Sequence, residues 1–504
     1  MTPAWQQLGN FDTLPDQTRS ALVKVYPLQR YAGHLLLTVD IVAQGTPGAK
    51  LTGLNYVCRC QGQGDLRDVS LVDPINRVRY GPLRAGSSSG KPYSSDINLS
   101  VHPVGTTWRL GGFYPDPGTS VTSMGVDLQL AGIAPAIPIV DGGQPAPNLV
   151  LGAPAGNPPT ASSVGPSATT ARPTVSVQAS AGGDNNGPLI TWTTPVPGSD
   201  AFVDKHNLVA KVVGGTVNEG GNRTQGIVTL NADLLFAFDS AKLNANALIK
   251  QARSILISKA DPAKPVSVTG YTDSLGDPTY NQTLSQRRAD ATAKALRTGG
   301  LGSITLNVTG RGESDPVAPN STAKGSDNPR GRALNRRVEI TYTPKPIAAT
   351  AAPSAPAVPA SPDSTASPAP AITLPSVTVE GSGVAPAKMS ATVHPIVQTG
   401  TLSLVSLDLT AEQDTLLIDA FSARSKADQD ISAFTIVDPA TKRVYLAAYD
   451  QDDSYRVMGT YTHRLLAGQP LHFAFYAAAL PANLSTATVD LDQLGTAKNV
   501  AVTR

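Results

Sequence analysis

Two stretches of this chain are too poor in large apolar side chains to build a core, and they divide its 504 residues before any motif is considered. Residues 133–187 contain PAGNPPTASSVGPSATTARPT, and residues 344–375 contain PSAPAVPASPDSTASPAP. Such composition cannot offset the entropy of ordering, and Pro keeps the backbone extended, so both read as disordered spacers. The resulting division is residues 1–132, a linker over 133–187, an extended segment over 188–223, a central domain over 224–343, a linker over 344–375, and residues 376–504.

The two outer parts resemble each other. VYPLQRYAGHLLLTVDI (Val25–Ile41), SLVDPINRVRY (Ser70–Tyr80) and FYPDPGTSVTSMGVDL (Phe113–Leu128) recur in order as VHPIVQTGTLSLVSLDL (Val393–Leu409), TIVDPATKRVY (Thr435–Tyr445) and FYAAALPANLSTATVDL (Phe475–Leu491). The V-D-P element keeps the same spacing to its Tyr in both. Short alternating runs separated by Gly, Pro, Asn and Asp predict two related all-β sandwich modules. The 45 Gly and 42 Pro fit this reading, being in excess of the usual roughly 7% and 5%.

The central region changes period. Ile227–Asn244 reads as a strand leading into a helix start, NALIKQARSILIS as an amphipathic helix, and PVSVTG as a short buried strand. Asp277-Pro278 supplies an N-cap and a first-turn proline for a helix that Gly299-Gly300 stops. ITLNVTG and RRVEITY add strands, so the domain is α/β.

The chemistry concentrates in GYTDSLGDPTYNQTLSQRRADATAKAL, Gly270–Leu296. Asp273 follows a strand directly. Asn281, Leu284 and Arg288 share one helix face, so Arg288 emerges beside the core near the loop. Two readings are open: a socket in which Asp273 takes an ammonium and Arg288 a carboxylate, or an Asx turn at Asp273 with Arg288 as its structural salt-bridge partner.

This stretch, with LFAFDSAKL before it and GRGESDPVAPNSTAKGSDNPRGRALNRRVEI after it, resembles the OmpA-like peptidoglycan-binding domain family over Ile227–Tyr342. The match includes the Thr272-Asp273 loop, the helix pattern from Tyr280 to Ala289, and the closing G-R-x-x-N-R-R-V from Gly331 to Val338. The resemblance implies non-catalytic binding of peptidoglycan, with Asp273 and Arg288 holding the diaminopimelate of the stem peptide. It places Thr272 and Asn281 on the supporting rim, beside Leu284 of the same helix face, and Arg336 and Arg337 in the closing motif, where one of the two is structural. Two departures stand out. Tyr271 replaces the family's usual His, and SDNP lengthens the loop between Asn320 and Gly331. The layout as a whole resembles secreted OmpA-family proteins of high-GC Gram-positive bacteria.

Other function classes find less support. A net charge of +2 without basic clusters argues against a nucleic-acid partner. Gly86–Gly90 fits G-x-S-x-G by letter but lies in a Ser-rich connection of a β module rather than a strand-to-helix elbow. Ser321–Lys324 and Ser326–Asn328 imitate penicillin-recognising motifs but share one loop. The six histidines form no H-x-H or H-E-x-x-H pattern, so neither an enzyme, a metal nor another cofactor is expected. Cys58 and Cys60 exclude a disulfide framework and leave open a local bridge or two thiols. No apolar run is long enough for a transmembrane helix. The N-terminus lacks a signal-peptide pattern, although the expected location is the cell envelope. That tension sustains an alternative: a wall-docking component of a phage-like or contractile particle assembled in the cytosol. The protein partner of the β modules is unknown from sequence.

Overall fold

The computed structural model describes residues 3–10, 20–31, 33–44, 50–51, 66, 69–88, 92–97, 102–103, 107–128, 132–141, 174–178, 189–193, 201–222, 224–302, 304–321, 326–345, 370–380, 386–416, 421, 431–450, 464–465 and 467–504. Cys58 and Cys60, and most of both spacers, lie outside them. The chain forms two compact units, one built mainly from residues 1–206 and the other from 207–470 and 474–504. Among the described residues, no helix is long and apolar enough to cross a membrane.

The first unit is strand-rich. Its strands run in the spatial order Trp5–Asn10, Ser20–Val25, His34–Gln44, Leu28–Tyr31, Ile133–Asp141, Ser123–Asp127, Ser70–Asp73, Val78–Tyr80. Leu35, Leu37, Val39 and Ile41 alternate inward from the longest strand and meet Leu71, Tyr114 and Val126 in the core. One part of the sequence reading is corrected here: Ile133–Asp141, assigned to a spacer, is a nine-residue strand. It pairs antiparallel with Ser123–Asp127 and parallel with Leu28–Tyr31. Thr174–Gln178, inside the same assigned spacer, pairs with Leu189–Thr193.

In the second unit, residues 217–342 form a five-stranded sheet with helices. We label its elements β1 (Val217–Gly221), β2 (Gly226–Asn231), α1 (Ala232–Leu235), α2 (Asn246–Lys259), β3 (Val266–Tyr271), α3 (Pro278–Thr298), β4 (Leu306–Gly310), α4 (Pro329–Asn335) and β5 (Arg337–Tyr342). The strand order is β1-β2-β5-β3-β4. Strands β3 and β4 are parallel, joined by the α3 crossover, whereas β5 runs antiparallel to β2 and β3. Val228, Leu230, Val266, Val268, Val338 and Ile340 bury one sheet face against Ala252 and Leu256 of α2 and Ala289, Ala293 and Leu296 of α3. Asp277 caps α3 by accepting from the Thr279 and Tyr280 amides at 2.8 and 3.1 Å, and Gly299 ends it.

Contact between β3 and α3 depends on a missing side chain. A Cβ on Gly270 would stand 2.3 Å from the Ser285 carbonyl oxygen, so the helix lies directly on the strand. Gly270→Ala must push α3 outward, and we expect a loss of about 1–3 kcal/mol in denaturant unfolding. A loss below half a kcal/mol would show that the helix is free to shift.

The C-terminal strands follow the order Ile372–Val379, Ala387–Val393, Leu402–Ala411, Ile396–Thr399, Thr496–Thr503, Thr486–Asp490, Thr435–Val437, Val444–Leu446. Taken in chain order, this is the arrangement of the first unit, including a parallel strand pairing at the same place, here between Ile396–Thr399 and Thr496–Thr503. The V-D-P turns also agree. Asp73 Oδ1 accepts from the Ile75 and Asn76 amides, and Asp438 Oδ1 from those of Ala440 and Thr441. Arg77 and Lys442 then take φ of 55° and 60°. The second spacer also ends earlier than its composition suggests, because the strand Ile372–Val379 begins within it.

These C-terminal strands dock on the α/β domain. The segment before β1 acts as a strap. Leu208 and Val209 pair with Asp450 and Tyr449, and Val212 and Val213 with Tyr445 and Val444. Lys211, between these pairs, is 4% exposed, and its Nζ donates to both Glu339 carboxylate oxygens at 3.3 Å. Val213, Val317, Val444 and Leu446 pack together beside it.

Near the C-terminus, burial and the neighbouring Asp490 carboxylate push the Asp492 carboxyl up to about 6. A carboxyl raised this way contributes stability below its unfolded value of about 3.9, which is lost as pH rises through about 6. Asp492→Asn removes the buried charge, and Asn tolerates the φ of 53° found there. We expect it to stabilise by about 1–2 kcal/mol at pH 8 and not at pH 4, read from melting curves at both values.

Candidate functional site

The site is built where β3 stops. Tyr271 ends the strand, Thr272 donates its amide to the Gly312 carbonyl at 2.8 Å, and Asp273 begins the loop. Asp273 Oδ1 accepts from the Leu275 amide at 3.2 Å, an Asx turn, and Gly276 at φ 97° reverses the chain toward α3. Asn281, one turn into α3, holds that loop. Its Nδ2 lies 3.3 Å from the Asp273 carbonyl, 3.0 Å from that of Leu275 and 2.8 Å from the Glu313 carboxylate.

Loop, helix and the α1–α2 connection enclose a cavity of about 550 Å³. Three carboxylates (Asp233, Asp239, Asp273) and three guanidinium groups (Arg288, Arg332, Arg336) line it, together with Phe236, Phe238, Leu275, Tyr280 and Leu284. Formal charge balances. A ligand held by these groups gains most when it carries both signs itself.

The three arginines differ in how far they are already occupied. Arg336 is fully engaged: Nε and Nη2 form a bidentate pair with Asp233 at 2.7 Å, and Nη1 donates to Asp273 Oδ2 at 2.5 Å. The hydrogen bonds it donates to Asp233 outweigh burial and raise its pKa further above the ordinary value. Arg332 sits with Nε 3.6 Å from Asp273 Oδ2 and its Nη1 on Asp327. Arg288 is 5% exposed, donates from Nε to the Ser240 carbonyl at 3.0 Å and lies over the Phe236 ring. Among the described residues, neither of its terminal nitrogens has a hydrogen-bond partner. Burial lowers its pKa from the ordinary value, which for guanidinium still leaves it charged.

The structure therefore gathers Thr272, Asp273, Asn281, Leu284, Arg288 and Arg336 into one cavity wall. Arg337 is not part of it. Only 1% exposed, it stacks on Tyr271 at 3.8 Å and donates to Glu339 at 2.8 Å, inside the domain. Asp273 is paired with Arg336 at 2.5 Å and more distantly with Arg332 at 3.6 Å, not with Arg288, so the clamp and the free fork are separate groups. Sequence reasoning overlooked Arg332, Asp233 and Asp239. Arg332, four positions before Arg336 in the same closing motif, was the available signal for the first; it lies on α4 and Arg336 caps the end of that helix.

The model of the OmpA family matches residues 235–330. Residues 235–330 are an OmpA family domain. Among curated relatives, the chain is 41% identical over 116 residues to a protein named photosystem I P700 chlorophyll a apoprotein A2 from Gloeobacter violaceus. It is 40% identical over 121 residues to the probable lipoprotein YiaD of Escherichia coli. Each match covers 23% of this chain, and 13% and 51% of those relatives respectively. A solved structure described as the cell wall anchor of the T6SS from Pseudomonas aeruginosa is 33% identical, with a TM-score of 0.21, covering 26% of this chain and 89% of that one.

Proposed function

We propose that the OmpA family domain binds peptidoglycan without turnover, gripping the zwitterionic end of a diaminopimelate-type stem peptide in the Asp273–Arg288 cavity. One observation carries this reading: among the described residues Arg288 keeps two guanidinium nitrogens without a hydrogen-bond partner, in a cavity that the Asp273 carboxylate also lines. A carboxylate can accept about four hydrogen bonds, so Asp273 keeps capacity beyond Arg336 and Leu275. An amine on Asp273 and a carboxylate across the Arg288 fork describe the side-chain terminus of diaminopimelate. The protein then works at the cell envelope, and the cavity is its wall anchor.

The flanking strands form two copies of one all-β module, a reading supported by their common strand order and matching V-D-P turns. The wall-bound domain holds the C-terminal copy through the strap and presents both copies to a protein partner.

Co-sedimentation of the full chain with insoluble peptidoglycan tests the anchor. We expect diaminopimelate-type wall to pellet the protein, free diaminopimelate to compete, and lysine-type wall, which lacks the second carboxylate, to pellet much less. Equal pelleting by both wall types would remove the socket from the explanation, and released muropeptides would remove the non-catalytic reading.

A further inference from the structure

The loop before α4 reaches back to the cavity. Asn328 caps α4 by accepting from the Gly331 amide at 3.0 Å and donates to the Pro319 carbonyl at 2.9 Å. Ser321 and Asp327 bridge as paired backbone. This brings the Asp327 carboxylate, 57% exposed, onto the outer side of the Arg332 guanidinium, which is 13% exposed. On its inner side the same guanidinium faces Asp273 at 3.6 Å, beyond hydrogen-bond reach. Arg332 Nη1 is taken up by Asp327, whereas its Nε is buried and, among the described residues, makes no hydrogen bond. A cation thus stands between two carboxylates, one outside the cavity and one inside it.

The arrangement bears directly on how much of Asp273 a ligand can use. Arg336 already occupies Oδ2. With no counter-charge outside, Arg332 would satisfy its buried Nε by closing the remaining distance to Asp273, and the carboxylate would then be held by two arginines. We propose that Asp327 is a positioning residue for the socket: it holds Arg332 back from Asp273 and so leaves that carboxylate open to a ligand's ammonium. This rests on the socket reading above. It assigns a function to the lengthened SDNP loop, namely control of how strongly the amine end of the ligand is bound.

The test uses the full chain and a diaminopimelate-containing tripeptide, titrated calorimetrically. Asp327→Asn removes the charge at constant shape and is expected to weaken binding about tenfold, as for loss of one charge contact at a part-buried site. Asp327→Glu, which keeps the charge, should stay within about threefold, and neither variant should shift the melting temperature. In an Arg332→Gln background the Asp327→Asn effect should vanish, because there is no cation left to hold. Binding by Asp327→Asn equal to or tighter than wild type overturns the proposal, as does an undiminished loss in the Arg332→Gln background. Should wild type and Asp273→Ala both ignore the tripeptide, the socket reading itself fails and this one with it.

Discussion

Arg288→Ala should reduce co-sedimentation with diaminopimelate-type peptidoglycan about a hundredfold, the effect expected when two charge-assisted hydrogen bonds of about 1.5 kcal/mol each are removed. The protein should remain folded, because the guanidinium makes one hydrogen bond to the Ser240 carbonyl and lies on one ring. Arg288→Lys is the sharper variant. It keeps the charge and loses the planar fork, so it should recover little of the binding if the fork is what recognises the carboxylate. Asp273→Ala should lose binding too, but with a structural component. It also releases Arg336 from one of its two carboxylates and deletes the Asx turn to Leu275. Retention of binding within threefold by Arg288→Ala, with unchanged circular dichroism, would leave the cavity without a role in wall recognition.

Glu339→Gln should destabilise the second unit by about 3–5 kcal/mol, because it leaves buried Lys211 without its carboxylate and buried Arg337 with only Asp315 at 3.8 Å. Lys211 and Arg337 both converge on this carboxylate, at 3.3 and 2.8 Å, and all three residues are buried. Burial by itself would raise the Glu339 pKa, but the two cations outweigh it and hold the carboxyl at about 2. The sign of the pH dependence follows. A carboxyl depressed in the folded state contributes stability above its unfolded value of about 4.3, and that contribution is lost as pH falls toward about 2. Wild type should therefore lose stability between about pH 4 and 2, and Glu339→Gln should lose much less over that interval. Denaturant titrations of both proteins at pH 7 and pH 3 measure the difference. A cost under 1 kcal/mol at pH 7 would mean the network is solvated and contributes little.

The α/β domain was legible because its signals are local. Asp277-Pro278 and Gly299 bracket α3 within one segment, and Asn281, Leu284 and Arg288 share a face by helical period alone. The cavity's partners were harder to see. Nothing near Asp273 in sequence indicates that Arg336, 63 positions away, would hold it. Arg337 shows the converse: it stands beside Arg336 in the same motif, yet it heads β5 and points into the interior, where Tyr271 and Glu339 receive it. Composition misled at Ile133–Asp141. Two prolines and two alanines there suggest a spacer, but the strand's register is set by Leu28–Tyr31, over a hundred residues earlier. Ala136 at φ 48° and an irregularity between Met124 and Val126 accommodate the prolines. The strap was invisible for the same reason. KVV at 211–213 carries no local signal that its lysine belongs under Glu339 and its valines on a strand beginning at Val444.

That strap also has a mechanical meaning. Leu446 donates its amide to the Lys211 carbonyl at 3.0 Å, and Gly221 of β1 donates to the Ala210 carbonyl at 2.9 Å, so adjacent residues of one segment are tied to opposite bodies. Were the cavity held by the wall as proposed, tension between wall and C-terminal sheet would pass through this splice. The joint gives way only when a ladder of backbone bonds and a buried ammonium–carboxylate contact break together. The reach of the C-terminal sheet from its anchor is then set by the splice and not by the length of chain between Lys345 and Pro370.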